Sequence, residues 1–362
     1  IARNSSFTYK GKAVKVQEVA EQLGVRYVLE GSVQKSGEKL RVTAQLVDAV
    51  DGKHLWAERY DRKLDDLFAM QDEITNKIFY EMHVKLTIGE RANDWQKHFG
   101  DPEGMRLHMK GFDRFLTFTL DGHHDAERIY GELYKKNPEG GMGNLDMGWI
   151  HWQKIVMGLT NDPKQSIKLG REFGEKAHAI MGDGGSLTLL AWFDLFEQDF
   201  ESAIENARRA TEISPSDGNT AAIAGTVYRN SGKSEESAIL LKRAMRLQPY
   251  HPKWYAWQLG ISLLVLEKYD EAEEIFEAVL KSDTEIVSDK YAALAGLAVI
   301  SVFRQNLENA EKYASQLTEL VVYGKKFNIS VLAPIFGLMK DQEFAKRFLD
   351  ALRQLGVPDK SE

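Results

Sequence analysis

The side chains most typical of a metal site in this 362-residue chain are two adjacent histidines and an aspartate, His123, His124 and Asp125. Consecutive residues of a helix point about 100° apart, so the two imidazoles cannot bind one ion without a third ligand from elsewhere. The cluster also precedes a helical segment that bears Ala126 and Tyr130, where Asp125 suits the first turn. The sequence therefore predicts a helix start here and no metal site.

Other patterns that could support catalysis are equally well explained by turns. The glycine-rich stretches 140–143 and 182–185 lack the Lys-Ser/Thr of a phosphate-binding loop and read as loops between helices. Cysteine is absent, which excludes thiolate metal sites, a cysteine nucleophile and disulfides. Carboxylates near predicted strand ends could form a general acid–base pair, but turn and helix-start roles explain them more simply: Asp48, Asp51, Asp61, Asp65 and Asp66. We predict no catalytic residue and no cofactor.

Two segments of the chain align with each other after a shift of 34 residues. The first set of aligned positions is Phe200, Ala203, Ala207, Ala210, Ile213 and Pro215, and the second is Ser234, Ser237, Leu241, Ala244, Leu247 and Pro249. This period is the length of a tetratricopeptide repeat, in which two helices form a hairpin. Such hairpins stack into a solenoid whose concave face binds other proteins.

The repeat register places several aromatic and polar side chains on the first helices of their hairpins, at positions that tend to line the inner groove. These are Trp192, Asn219, Thr226, Arg229, Asn230, Trp254 and Trp257. Aromatic and arginine side chains on a concave surface are suited to anchor a protein or peptide partner. Packing between hairpins is the alternative, above all for Trp254. A carboxy-terminal peptide is a weaker option, because the full basic set of a carboxylate clamp is missing.

The elements that position these residues fall into two regions. Apolar and polar residues alternate from Val25 to Asp61, which predicts a three-stranded antiparallel sheet flanked by helices over Val16–Leu23 and from about Leu64 to Ile88. All later periodic segments are helical. We therefore predict an α+β chain: a partial α/β sheet domain over 1–88, a linker over 89–102, an all-α superhelical solenoid of about six hairpins over 103–340, and a capping helix over 341–358.

Charge and hydropathy exclude some partners. The net charge is −7 with both signs interspersed, which disfavours nucleic acid and anionic membrane surfaces. No stretch approaches the roughly 18 apolar residues of a membrane span. Because the chain starts at Ile1 in what reads as the end of a strand, we expect the natural amino terminus to lie upstream. A cytoplasmic location is expected, or a periplasmic one if the upstream region contains a membrane anchor.

Four motifs carry a resemblance to a bacterial signalling family: GVRYVLEGSV at 24–33, LRVTAQLVD at 40–48, HLWAERYD at 54–61 and FAMQDEI at 68–74. In that family, a domain similar to the amino-terminal domain of the Tol-system protein TolB precedes tetratricopeptide repeats. A class III adenylate or guanylate cyclase domain often lies upstream, and sometimes a winged-helix regulator domain. Two departures stand out: the first strand and helix of the TolB-like domain are absent, and so are the residues that a cyclase uses.

The resemblance implies a non-catalytic interaction and regulatory module. A protein or peptide partner in the concave groove would modulate an upstream adenylate cyclase domain, and so cAMP signalling, by reorienting domains or enforcing a homodimer geometry. Two alternatives stay open. The chain could be the regulatory part of a winged-helix transcriptional regulator, or it could sense a metabolite in a pocket between the sheet domain and the first hairpins, near Trp149, His151 and Trp152.

Overall fold

The computed structural model describes two compact units, Ile1–Asp94 and Trp95–Glu362. The described residues are 9, 14–23, 25, 27–37, 39–49, 52–63, 98–99, 101–248, 251–282 and 284–360. The helix predicted from about Leu64 to Ile88 and most of the predicted linker lie outside these residues. The predicted fold class, a small antiparallel sheet region followed by many helices, is confirmed.

The amino-terminal unit contains one short helix and an antiparallel sheet within its described residues. These elements are α1 (Val16–Leu23), β1 (Tyr27–Ser36), β2 (Lys39–Asp48) and β3 (Lys53–Lys63). The strand order is β1-β2-β3, with Val42 opposite both Val33 and Tyr60. Gly37 and Gly52, with φ of 59° and 70°, supply the left-handed backbone of the two hairpin turns. The predicted three-stranded meander is therefore confirmed.

One face of this sheet forms a small core. Residues that pair directly across antiparallel strands point to the same face, so the register brings together the buried side chains: Leu40, Ala44, Leu46, Trp56 and Tyr60. The rings of Trp56 and Tyr60 on β3 thus pack in this core.

The carboxy-terminal unit is built of helical hairpins. Its first helices are α2 (Pro102–Phe115), α4 (Gly141–Val156), α6 (Gly184–Phe196), α8 (Gly218–Asn230), α10 (Lys253–Val265) and α12 (Val287–Phe303). The second helices are α3 (Leu120–Lys136), α5 (Pro163–Met181), α7 (Phe200–Ile213), α9 (Ser234–Leu247), α11 (Tyr269–Lys281) and α13 (Leu307–Glu319). Within the described residues 101–319, these form six hairpins, as expected.

The turn between the two helices of each hairpin has the same backbone feature. One residue in it is left-handed, with φ between 50° and 81°: Phe118, Gly158, Gln198, Gly232, Glu267 and Gln305. Four of these six residues are not glycine, so the turn is imposed by hairpin packing at some cost in backbone strain. The recurrence shows that the hairpins share one backbone conformation at this turn, even where neighbouring turns are not 34 residues apart.

Small residues allow the hairpins to approach each other. The ring of Phe276 on α11 lies between Gly260 of α10 and Gly296 of α12, and a Cβ at either glycine would come within 2.6 Å or 2.4 Å of that ring. Such contacts are too short for any side chain, so both positions require glycine for this packing.

The hairpins end at Glu319, earlier than the predicted boundary at residue 340. The chain continues through β4 (Val321–Val322), β5 (Lys325–Lys326), a 3₁₀ turn (Ile329–Val331) and α14 (Ala333–Phe336). The last helix, α15 (Gln342–Gln354), is capped by the Asp341 carboxylate, which accepts from the Phe344 amide at 2.9 Å. Residues 320–341 are called the returning segment below.

Candidate functional site

The first helices form one continuous layer. Neighbouring first helices contact each other in order from α4 through α6, α8 and α10 to α12, while each also packs against second helices. Their inner face is defined here as the surface that points away from the second helices. Whether a partner can bind this face depends on which other parts of the chain cover it.

The returning segment lies across this inner face. Its helix α14 contacts α4, and its end is joined to α8 by the Lys340 amide, which donates to the Asn230 carbonyl at 2.6 Å. Leu338 packs against the cluster that contains Trp192. The side chains of Leu332, Phe336 and Met339 are at most 5% exposed. The inner face is therefore covered by the chain itself along most of its length.

Arg229, on the last turn of α8, is buried beneath this segment. It is 2% exposed, and it donates to the Gln258 side-chain carbonyl, to the Gln258 backbone carbonyl at 3.5 Å and to Asn230 Oδ1 at 3.4 Å. Its Nε has no acceptor, and among the described residues no carboxylate forms an ion pair with it. Burial lowers the pKa of Arg229 to about 9. Such a charge is costly to bury alone.

A small cavity next to Arg229 lies between the first helices and the returning segment. Its volume is about 20 Å³, enough for roughly one water molecule. Residues of α8, α10 and α12 line one side of it and residues of the returning segment line the other: Arg229, Trp257, Ile261, Tyr291, Ala292 and Ala295 against Leu332, Ile335, Phe336 and Met339, with Phe348 of α15 at the edge. Apart from the guanidinium, the lining is largely apolar.

The structure brings only some of the predicted groove residues together. Arg229 and Trp257 line the same cavity, and Asn230 touches Arg229. Trp257 is half-buried, and its indole N–H donates to Asp289 Oδ1 at 3.0 Å. These contacts connect α8, α10 and α12 around a single point of the inner face.

The remaining predicted residues lie elsewhere. Trp192 is 5% exposed and stacks edge-on against Trp152 at 5.3 Å between ring centroids. Thr226 is buried, and its hydroxyl donates to the Ala222 carbonyl within α8. The exposed Asn219 and half-buried Trp254 lie near Tyr255, whose hydroxyl donates to Asn219 Oδ1 at 3.4 Å. For Trp192, Thr226 and Asn230, the side chains are packed inside the unit and none is on an open surface.

The tryptophans of α4 belong to an aromatic cluster. Trp152 lies 5.4 Å from Trp149, 6.3 Å from Phe115 and 6.0 Å from Phe118. Its indole N–H is buried without an acceptor. The metabolite-sensing alternative that was placed near these residues stays a prediction.

The histidine cluster differs in its local structure from the expectation. Helix α3 begins at Leu120 with Thr119 as its cap, so His123 lies inside the helix and Asp125 is not a first-turn residue. The His123 ring is buried, with Nδ1 at 2.8 Å from Gln153 Oε1 of α4, and the Gln153 amide donates to the Phe115 carbonyl. His123 thus connects the first hairpin to the second.

Among the helices of the described residues, none has the length and apolar character needed to cross a membrane.

Sequence reasoning missed the returning segment. The signal was present: residues 331–339 read VLAPIFGLM, and no acidic residue occurs from 320 to 340. The run has neither the helical period nor the alternation of a strand, so it was assigned to the repeats by position alone.

Residues 258–320, which include α11, α12 and α13, match the family model of the tetratricopeptide repeat. The hairpins over these residues are therefore similar to tetratricopeptide repeats. Among solved structures, the chain is similar to a tetratricopeptide protein of Thermus thermophilus, with 16% identity, a TM-score of 0.43, and coverage of 53% of this chain and 98% of that one. It is also similar to PilF of Pseudomonas aeruginosa, with 13% identity, a TM-score of 0.40, and coverage of 60% and 93%.

A curated protein of Rhizobium meliloti (strain 1021), named "Putative adenylate cyclase 3", is 40% identical over 161 residues. The matched part is 44% of this chain and 26% of that protein. The chain thus spans about a quarter of this relative.

Proposed function

We propose that this chain is a non-catalytic interaction and regulatory module of a bacterial signalling protein, and that its tetratricopeptide hairpins bind a protein or peptide partner at the inner face. The observation that carries the proposal is the meeting of Arg229 and Trp257 on neighbouring first helices at one cavity. Arginine and tryptophan are the residues most enriched among the anchors of protein interfaces. Asn230, which accepts from Arg229, belongs to the same point, whereas Trp192, Asn219, Thr226 and Trp254 lie elsewhere on the first helices.

The regulated output would be an adenylate cyclase domain of the same polypeptide. The relative named as an adenylate cyclase supports this output over a winged-helix regulator domain. The sheet unit would be a TolB-like domain between the two, and the location would be cytoplasmic. Partner binding would act by shifting the population of domain arrangements, or of a homodimer, because a ligand favours the state that it binds more tightly.

Peptide display tests the binding part of the proposal. The chain would be screened against a displayed peptide library, and affinities of the selected peptides would be measured in solution. The double variant Arg229→Ala/Trp257→Ala should lose binding and keep its helicity. The matched control is Arg246→Ala/Leu247→Ala on the exposed side of α9, which should bind as the parent does. A library that yields no binder, or binders indifferent to Arg229 and Trp257, would overturn the proposal.

Cyclase assays test the regulatory part. The complete reading frame would be expressed with and without residues 103–358 in cells that lack their own adenylate cyclase. Removing the repeats should change cAMP formation in the intact protein. Equal cAMP formation by the two proteins at equal protein levels would show that these repeats do not regulate the cyclase domain.

A further inference from the structure

We propose that the returning segment is a built-in competitor for the inner face, and that the partner which displaces it brings a carboxylate to Arg229 between aliphatic or aromatic side chains. The inference rests on the proposed function, since it names the regulation and the ligand chemistry of the same face. It follows from the contacts that hold the segment on the first helices, and from the absence of a counter-charge for Arg229.

The middle of the returning segment is held on the first helices by side chains alone. The backbone N–H groups of Leu332 and of residues 335–339 donate to carbonyls within the segment, as the Phe336 amide does to the Leu332 carbonyl at 3.1 Å. Outside this stretch, backbone bonds to other parts of the chain run from Leu320 to Leu317, from Ile329 and Ser330 to residues 358 and 359, and from Lys340 to Asn230. A different peptide with similar apolar side chains could therefore replace residues 332–339 without breaking a backbone ladder.

The segment matches the inner face in shape but not in charge. It offers Leu332, Ile335, Phe336 and Met339 to the apolar lining of the cavity. Residues 320–340 offer no carboxylate to the cavity, because they contain neither aspartate nor glutamate, and Asp341 at the end of the segment caps α15. Arg229 is left with amide and carbonyl acceptors only, and one of its nitrogens has none.

Other arginines of the same unit show what Arg229 lacks. Arg171 is 25% exposed at its side chain and forms ion pairs with Asp194 at 2.9 Å and Glu197 at 2.7 Å. Arg304, at 34% exposure, pairs with Glu273 at 2.6 Å and with Asp270. Arg229 is the more deeply buried, and so has the greater need of a counter-charge. A ligand that combines apolar anchors with a carboxylate would satisfy it, and would compete with the uncharged residues 332–339 through that one added interaction.

The chain offers a reversible lock for the segment. A Cβ at Gly232 would lie 3.9 Å from Cβ of Lys340, within the range of a disulfide, and the chain has no cysteine to interfere. In Gly232→Cys/Lys340→Cys, oxidation would fix the end of the returning segment to the hairpin turn after α8. The strain of a side chain at Gly232, where φ is 81°, is the same in the oxidised and reduced forms. The reduced form is therefore the matched control.

Synthetic peptides of the segment's own sequence serve as probes. The neutral probe is residues 330–339 with an acetylated amino terminus and an amidated carboxy terminus. The second carries Ile335→Glu in the same amide, and the third ends at Phe336 with a free carboxylate, beside its amidated counterpart. Affinities for oxidised and reduced protein would be measured by calorimetry.

The reduced protein should bind at least one carboxylate probe roughly tenfold or more tightly than its neutral counterpart, because a charge-assisted pair replaces a neutral contact. Which carboxylate probe gains more identifies a side-chain or a terminal carboxylate as the source. The oxidised protein should bind none of the probes. Equal affinity for charged and neutral probes, equal binding to the oxidised form, or no binding to the reduced form would each overturn the inference.

Arg229→Met tests the residue itself. The variant should bind all probes with the affinity of the neutral one, and its urea midpoint should not fall, since no ion pair is lost in the closed form. If it does not fold, Arg229→Lys replaces it, and should keep part of the preference for a carboxylate. A variant that folds and still prefers the charged probes would exclude Arg229. Library-selected peptides that bind oxidised and reduced protein alike would end this inference and leave the proposed function standing.

Discussion

The first and second helices of the hairpins differ in how many of their sides are buried. In α12, a first helix, nearly every residue from Ser288 to Ser301 is buried. In α13, its second helix, the buried residues are Ala310, Ala314 and Leu317, a single stripe. A helix that is apolar on all sides needs neighbours on all sides. The difference shows that the inner face of this unit belongs to a core, which the returning segment completes.

We expect the largest loss of stability from substituting a buried residue where a second helix packs against first helices. Phe276→Ala removes a fully buried ring from between Gly260 and Gly296, two backbones that cannot close the gap easily. The free energy of unfolding should fall by about 3–5 kcal/mol. Urea denaturation followed by far-ultraviolet circular dichroism measures it.

The control for this variant is Ile239→Ala on α9, a second-helix residue that is 67% exposed. A change within about 0.5 kcal/mol is expected there. If the two variants lost similar stability, the glycine-lined slot would not be what holds the hairpins together.

A smaller loss is expected from the cover of the inner face. Phe336 is 5% exposed and stacks on Phe348 at 4.3 Å, but it lies in a four-residue helix that can shift after truncation. Phe336→Ala should therefore cost about 2–3 kcal/mol, less than a ring fixed in a rigid core. It should also speed amide hydrogen exchange in α10 and α12 beneath it. Faster exchange confined to residues 320–341 would contradict the role of the segment as their cover.

These differences also show how far the sequence could predict the fold and the site. The alternation from Tyr27 to Tyr60 predicted the sheet, and the repeat predicted the hairpins, because both patterns depend on residues close in sequence. Arg229 and Trp257 were predicted to share a face, which the first-helix register determines. The cover over Arg229 was not predicted, since no local period indicates where an aperiodic segment packs.

The start of α3 was misplaced for a related reason. Thr119 is its cap, but the sequence between Thr119 and Asp125 offers several polar residues that could begin a helix. Local propensity alone does not choose among them, and boundaries are the least certain part of such predictions. The packing of His123 against Gln153 of α4 fixes the helix in its longer form.

The last predicted effect is confined to acidic pH and concerns a titrating side chain on a first helix. His151 of α4 stacks on Phe173 at 5.8 Å, and its Nδ1 is buried with no hydrogen-bond partner. Burial, and then the charge of Lys154, lower the pKa of His151 from 6.5 to about 4. Below pH 6.5 the unfolded chain takes up a proton at this residue that the folded chain does not, until the pH reaches about 4. The contribution of His151 to stability is therefore complete above pH 6.5 and declines as the pH falls through this window.

His151→Phe should remove that decline while keeping an aromatic ring against Phe173. Its free energy of unfolding, relative to the parent, should rise as the pH is lowered from 6.5 towards 4, because the variant no longer has a group that must stay neutral to fold. Urea denaturation at a series of pH values measures the difference, which cancels the titration of groups that both proteins share. His124→Phe, on the exposed side of the second helix α3, controls for the loss of an imidazole. Parallel curves for the parent and His151→Phe would mean that the first helix α4 is more open to water than its packing indicates.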